Sequence, residues 1–182
     1  MAMQQNGYAF VPHLTYDEWR SYALTHGVNV DWTYGNQCWD ICALLWYQYG
    51  LRLETGNGYA YGCWTLMRYQ NARGPFKMIN SIYEVKRGDC VVFNRAGSFY
   101  TGHIAFADED YNGSGRLKCL GQNQGQGISP GTPSNIISMG VGNFLGAFRN
   151  TNWRQIPPPT PTPSKKDGNF PWVLYSRKLR QK

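Results

Sequence analysis

The chain has 182 residues, 42% hydrophobic and 15% aromatic, which supplies enough apolar surface for one buried core. Its net charge of +7 is uneven, because residues 1–164 carry 12 Lys/Arg and 10 Asp/Glu while residues 165–182 carry 6 and 1. No apolar run reaches the 18 residues of a membrane span, the N-terminus has no charged or apolar leader region, and the cysteines at 38, 42, 63, 90 and 119 lack CxxC spacing, so the expectation is no span, no export signal, no disulfide framework and no zinc ribbon.

In chain order, Thr15-Tyr16-Asp17-Glu18 has the pattern of a capping box, and Trp19, Tyr22, Ala23 and His26 follow at helical spacing before Gly27, which predicts a short first helix. A polar, turn-rich stretch from Val28 to Gln37 leads into a second helix over 38–49, with Ile41, Leu45 and Tyr49 on one face and Gly50 as its stop. Residues 51–84 are mixed and aromatic, with one further helix expected around 63–71. After Gly88 the period becomes that of strands: 90–93, 103–107, 117–120, 135–139 and 144–148, each bounded by Gly, Asn, Asp or Ser. Helices first and short strands after predict an α+β fold with an antiparallel sheet. A body over 1–155 is followed by the Pro-Thr-Ser-rich stretch 156–164, read as a stiff extended linker, and by a basic aromatic tail over 165–182. Such a tail suits an anionic surface.

Cys38 falls where a loop turns into a helix, and the free N–H groups and positive dipole end there favour a thiolate. A packed thiol is the alternative reading, and it is the one given to Cys42, one turn further on. His103 opens a strand whose partner is found by folding the chain back at Asn112-Gly113. Paired positions then sum to roughly 225–227, which puts Asn123 across from His103, within about 5 Å. A catalytic histidine needs a third group to fix its tautomer, and an amide oxygen can serve. Gln122-Asn123-Gln124 offers three amides in a row, with turn-forming polar residues as the competing reading. His13 and His26 are assigned no role.

Val30-Asp31-Trp32-Thr33-Tyr34-Gly35-Asn36-Gln37-Cys38-Trp39-Asp40 resembles the nucleophile motif of the CHAP family, the cysteine, histidine-dependent amidohydrolases/peptidases. Gly88 to Phe93, Gly102 to Phe106 and Leu120 to Gly125 resemble that family's later motifs, in order, over about residues 15–150. The likeness is to phage lysins that attack Gram-positive cell walls. It implies a papain-like α+β fold, N-terminal helices packed on the sheet, in which Cys38 attacks a peptidoglycan stem-peptide or cross-bridge amide and His103 is the base. Asn123 then orients His103 by itself, because Gly121 stands where some members have a glutamate. Gln37 becomes a candidate for oxyanion stabilisation beside the Cys38 N–H. Certain members bind calcium before the cysteine; the matching positions here are Asn29, Asp31 and Asp40, with one carboxylate fewer and hence weaker binding implied. Trp32, Tyr34 and Trp39 could line a substrate groove.

The resemblance also implies a protein made in a host cytoplasm, reaching the wall after holin-type release or on a phage particle. The tail would hold a wall polymer or virion component rather than nucleic acid. The alternative is a non-catalytic wall-binding or virion module that keeps the fold. Amidase and endopeptidase specificities are not distinguished by these residues.

Overall fold

The structure, a computed structural model, describes residues 14–97, 99–125 and 132–154. His13, the linker and the tail lie outside them. Helix α1 (Tyr16–Thr25) starts as its sequence predicts: Thr15 Oγ1 accepts from Glu18 N at 3.1 Å, and Glu18 Oε2 accepts from Thr15 N at 2.8 Å. Helix α2 (Cys38–Gln48) ends in a Schellman turn, with Leu51 N donating to Trp46 O and Gly50 N to Tyr47 O while Gly50 takes φ +68°.

The stretch expected as one helix around 63–71 divides into two four-residue helices, α3 (Gly62–Thr65) and α4 (Arg68–Asn71). The chain continues through β1 (Phe76–Ile79), β2 (Cys90–Phe93), β3 (His103–Ala107), β4 (Arg116–Gly121), β5 (Asn135–Gly140) and β6 (Phe144–Asn150). All pairings are antiparallel, in the order β1-β6-β2-β3-β4-β5, so the fold is α+β.

One face of this sheet carries the helices. Ile41, Leu44, Leu45 and Trp46 of α2 are fully buried there with Cys90, Val92, Ile104, Phe106 and Leu120, each large side chain stabilising the fold by about 1.5–3 kcal/mol. Trp46 stacks on Phe76 at 3.7 Å, which fastens β1 to the helix. The opposite face gathers Val91, Phe93, Ala105, Ala107, Leu117, Cys119 and Met139. Alternation along β3 therefore sends Ile104 and Phe106 towards α2, and His103 and Ala105 the other way.

Candidate active site

Cys38 occupies the first position of α2, where backbone N–H groups have no intrahelical acceptor. Its sulfur lies among the backbone N–H groups of Ile104, Trp39 and Cys38 itself. It is 8% exposed, whereas Cys42, Cys63, Cys90 and Cys119 are at most 1% exposed. Cys38 is also the one cysteine among the described residues that lines a cleft of about 720 Å³, whose walls include Asp31, Tyr34, Gln37, Arg52, Glu54 and Tyr59. Burial pushes the Cys38 thiol up to about 11, against the pull of the Ile104 N–H.

The helix start is fixed by Asp40. Its two carboxylate oxygens accept from Gln37 N at 2.7 Å and from Val30 N at 2.8 Å. Burial and the charge of Asp31 push this carboxyl up to about 7, against those N–H groups. Asp31 in turn accepts from Thr33 N at 2.9 Å through Oδ1, and Asn29 is buried. The three residues expected to hold calcium thus have three of the four carboxylate oxygens engaged by backbone donors. Among the described residues no three His, Cys, Asp or Glu side chains come together as a metal cage. The set offers a cation two carboxylates and the Asn29 amide, with both Asp40 oxygens shared with backbone N–H groups.

His103 is 1% exposed. Its ring packs against Phe99 at 5.1 Å and its Nε2 lies 2.9 Å from Gln124 Oε1. Burial pulls the imidazole down to about 4, with the Gln124 hydrogen bond acting the other way. His103 and Phe99 line a second hollow of about 300 Å³, while Tyr100 and Thr101 line the Cys38 cleft. The segment from Phe99 to His103 thus contributes to both hollows, and the N–H of Ile104, the next residue, reaches the Cys38 sulfur.

Strand register agrees with the fold-back arithmetic: Phe106 pairs with Leu120 and Ala107 with Cys119, both summing to 226. The ladder stops short of position 123, because Asn123 adopts φ +50°, a left-handed conformation that Asn tolerates better than most residues. Asn123 is consequently turned away from His103, and its Nδ2 donates to Gln37 Oε1 at 3.0 Å. The residue on the imidazole is Gln124. Gln37, expected to offer its amide to an oxyanion, gives its Nε2 to Tyr34 O at 2.5 Å, which leaves the backbone N–H groups at the start of α2 as the better-placed donors.

Of the aromatics expected in a groove, Tyr34 and Trp39 line the cleft and Trp32, 78% exposed, does not. His26 stacks on Tyr22 at 4.4 Å at the end of α1. Sequence reasoning offered Gln122 and Gln124 only as neighbours of Asn123 in a run of three amides; both are buried with the whole amide engaged. It missed Arg52, Glu54, Tyr59 and Tyr100, which lie in stretches without periodicity.

Comparison with known proteins places these residues in context. A model of the CHAP domain matches residues 27–123, a span that holds Cys38, His103 and Asn123. A D-alanyl-L-alanine endopeptidase of Streptococcus phage B30 is 32% identical over 114 residues, covering 61% of this chain and 25% of that protein. The chain therefore spans about a quarter of the length of that relative. The crystal structure of the endolysin LysIME-EF1 superposes with a TM-score of 0.60 at 24% identity, covering 76% of this chain and 65% of that one. Ly7917, solved with the hydrolysis product of MDP, gives a TM-score of 0.48 at 14% identity over 75% of this chain and 63% of its own.

Proposed function

The chain belongs to the CHAP domain family, and from that membership we propose that it is a peptidoglycan hydrolase of the phage-lysin kind, with Cys38 as nucleophile and His103 as base. The observation that carries this reading is the singular position of Cys38: it sits at an open helix start in the large cleft, while the other four cysteines are sealed in the core. The cleft presents Asp31 and Glu54 beside Arg52, charges of both signs that suit a stem peptide bearing both carboxylates and amines.

Attack begins from a neutral pair. As the Cys38 sulfur bonds to the scissile carbonyl carbon, its proton passes to His103, and backbone N–H groups of the first turn of α2 receive the developing oxyanion. The C–N bond then breaks, His103 returns the proton to the leaving amine, and a thioester remains. Water attacks that thioester while His103 takes its proton, and the acid and the free thiol are released. On this reading contact between thiol and imidazole closes when substrate is seated, as catalytic hydrogen bonds often do.

The activity named for the phage B30 relative favours an endopeptidase over an amidase. Mass spectrometry of digested Gram-positive peptidoglycan tests both levels: a freed cross-bridge amine marks an endopeptidase, and a new N-terminal alanine on the stem peptide an amidase. Cys38→Ala should abolish clearing of purified walls with its fold retained. Full clearing by that variant would refute Cys38 as nucleophile, whereas a wild-type protein that binds walls without clearing them would favour a non-catalytic wall-binding or virion module. The basic tail is proposed to bridge to an anionic wall polymer or virion surface, so truncation at Ile156 should weaken attachment and spare hydrolysis.

A further inference from the structure

We infer that Gln124 is the positioning residue of His103, and that Gly121 is glycine because a side chain there would take the space of the Gln124 carbonyl. The inference rests on the reading of His103 as base, but the geometry behind it is independent of substrate.

The direction of the Gln124 amide is fixed by its surroundings. Its Nε2 donates to Cys119 O at 2.9 Å and to Asn135 O at 2.9 Å. Both are backbone carbonyls, which only accept, so the NH₂ end must face them and the oxygen must face His103. That oxygen also only accepts, so the proton between them belongs to His103 Nε2. Nδ1 is then the bare nitrogen, the atom able to take a proton from a thiol. Gln124 and His103 are buried to 0% and 1% exposure, so water does not compete for these bonds.

Room for this arrangement comes from β4. A Cβ added at Gly121 would stand 2.8 Å from Gln124 Oε1 and 3.1 Å from Ala105 Cβ. Ala105 belongs to the rigid centre of the sheet, so the amide would be the group to move. A side chain at 121 and the Gln124–His103 hydrogen bond therefore exclude one another. The left-handed turn at Asn123 is what carries Gln124 back over β4 into that space.

The test is ¹⁵N-detected histidine NMR of the full chain at pH 7, with the three histidines assigned through His13→Gln and His26→Gln. Wild-type His103 is expected to show Nε2 protonated and Nδ1 bare. Gln124→Ala should mix the tautomers and lower kcat roughly tenfold or more, as loss of an orienting partner does elsewhere, with KM little changed. Gly121→Ala, which keeps Gln124, should give the same spectral change, and the double variant should be no slower than Gln124→Ala alone. A wild-type Nδ1–H tautomer, or Gly121→Ala with wild-type spectrum and kcat, would overturn the inference. So would losses in kcat that multiply in the double variant. If Gln124→Ala does not fold, the wild-type spectrum and Gly121→Ala decide by themselves. The spectra need no substrate, so absence of wall hydrolysis would refute the proposed function and leave this inference to be judged separately.

Discussion

Gln122 holds both backbone groups of Val28 with a single amide: Val28 N donates to Oε1 at 2.7 Å, and Nε2 donates to Val28 O at 2.8 Å and to Gln37 O at 3.1 Å. The end of β4 thus grips both ends of the loop that delivers Cys38. Gln122→Ala would leave the buried Val28 N–H without an acceptor, so stability should fall by about 2–4 kcal/mol, read from the urea midpoint. Wall hydrolysis should fall further than stability predicts, because the freed loop carries the proposed nucleophile.

Stability against pH should show two groups of opposite sign. His103 is held near 4 in the folded chain, below its unfolded value of about 6.5; between these the unfolded state binds the extra proton, and stability is lost as pH falls. Asp40 is pushed to about 7, above its unfolded value of about 3.9; there the folded state holds the proton, and stability is lost as pH rises. From pH 4 to 6.5 the two slopes, each of about 1.4 kcal/mol per pH unit, oppose one another. Asp40→Asn should be less stable overall, and its urea midpoint should rise more steeply with pH than that of the wild type. Parallel pH profiles would contradict this assignment.

A thiol held near 11 and an imidazole held near 4 do not form an ion pair at rest. Alkylation of the substrate-free protein by iodoacetamide should modify Cys38 alone of the five cysteines, and its rate should climb roughly tenfold per pH unit through neutrality. His103→Ala should leave that resting rate nearly unchanged while abolishing turnover. A plateau between pH 5 and 8 that disappears in His103→Ala would instead identify a preformed thiolate–imidazolium pair.

These elements also mark how far the sequence could be read. The Thr15–Glu18 box, the start of α2 at Cys38, the Asn112-Gly113 reversal and the 226 register are all signals of the sequence, and the structure contains each of them. The four-residue elements α3, α4 and β1 are too short to show a period, and β1 is held by its pairing with β6 and by the stack of Phe76 on Trp46, contacts no local pattern announces. The imidazole's partner was one residue off for a similar reason. Pairing arithmetic assumes that the strand continues, and the left-handed Asn123 ends it. Gly121, legible only as a missing carboxylate, became meaningful once Gln124 was seen beside it.

Calcium should matter little to this chain. Any ion held by Asn29, Asp31 and Asp40 would have to share Asp40 oxygens already bonded to Gln37 N and Val30 N. Millimolar calcium is expected to raise Tm by no more than about 2 °C, equivalent to about 0.5–1 kcal/mol for a chain of this size, and Asp31→Asn should erase that increment. A large, calcium-selective rise over magnesium would mean that the Asp40 cap rearranges into a cage.

Gly102 immediately precedes His103. It takes φ +71°, and a Cβ there would stand 2.7 Å from Phe93 O, 2.7 Å from Tyr61 Cβ and 2.9 Å from Tyr61 N. Backbone strain of about 1–3 kcal/mol adds to overpacking of about 1–3 kcal/mol, and backbone atoms on two sides leave little room to yield. Gly102→Ala should therefore shift the 99–103 segment. The expected result is a lower Tm together with a loss of wall hydrolysis of at least roughly tenfold, since a misplacement of about 1 Å in a reacting group costs far more rate than stability. Gly97 offers the control: its φ is +50°, but an added Cβ meets nothing within 4 Å. Gly97→Ala should then carry the strain alone, with hydrolysis close to wild type. Equal losses in the two variants would locate the effect in backbone strain rather than in the Tyr61–Phe93 contacts that fix the histidine.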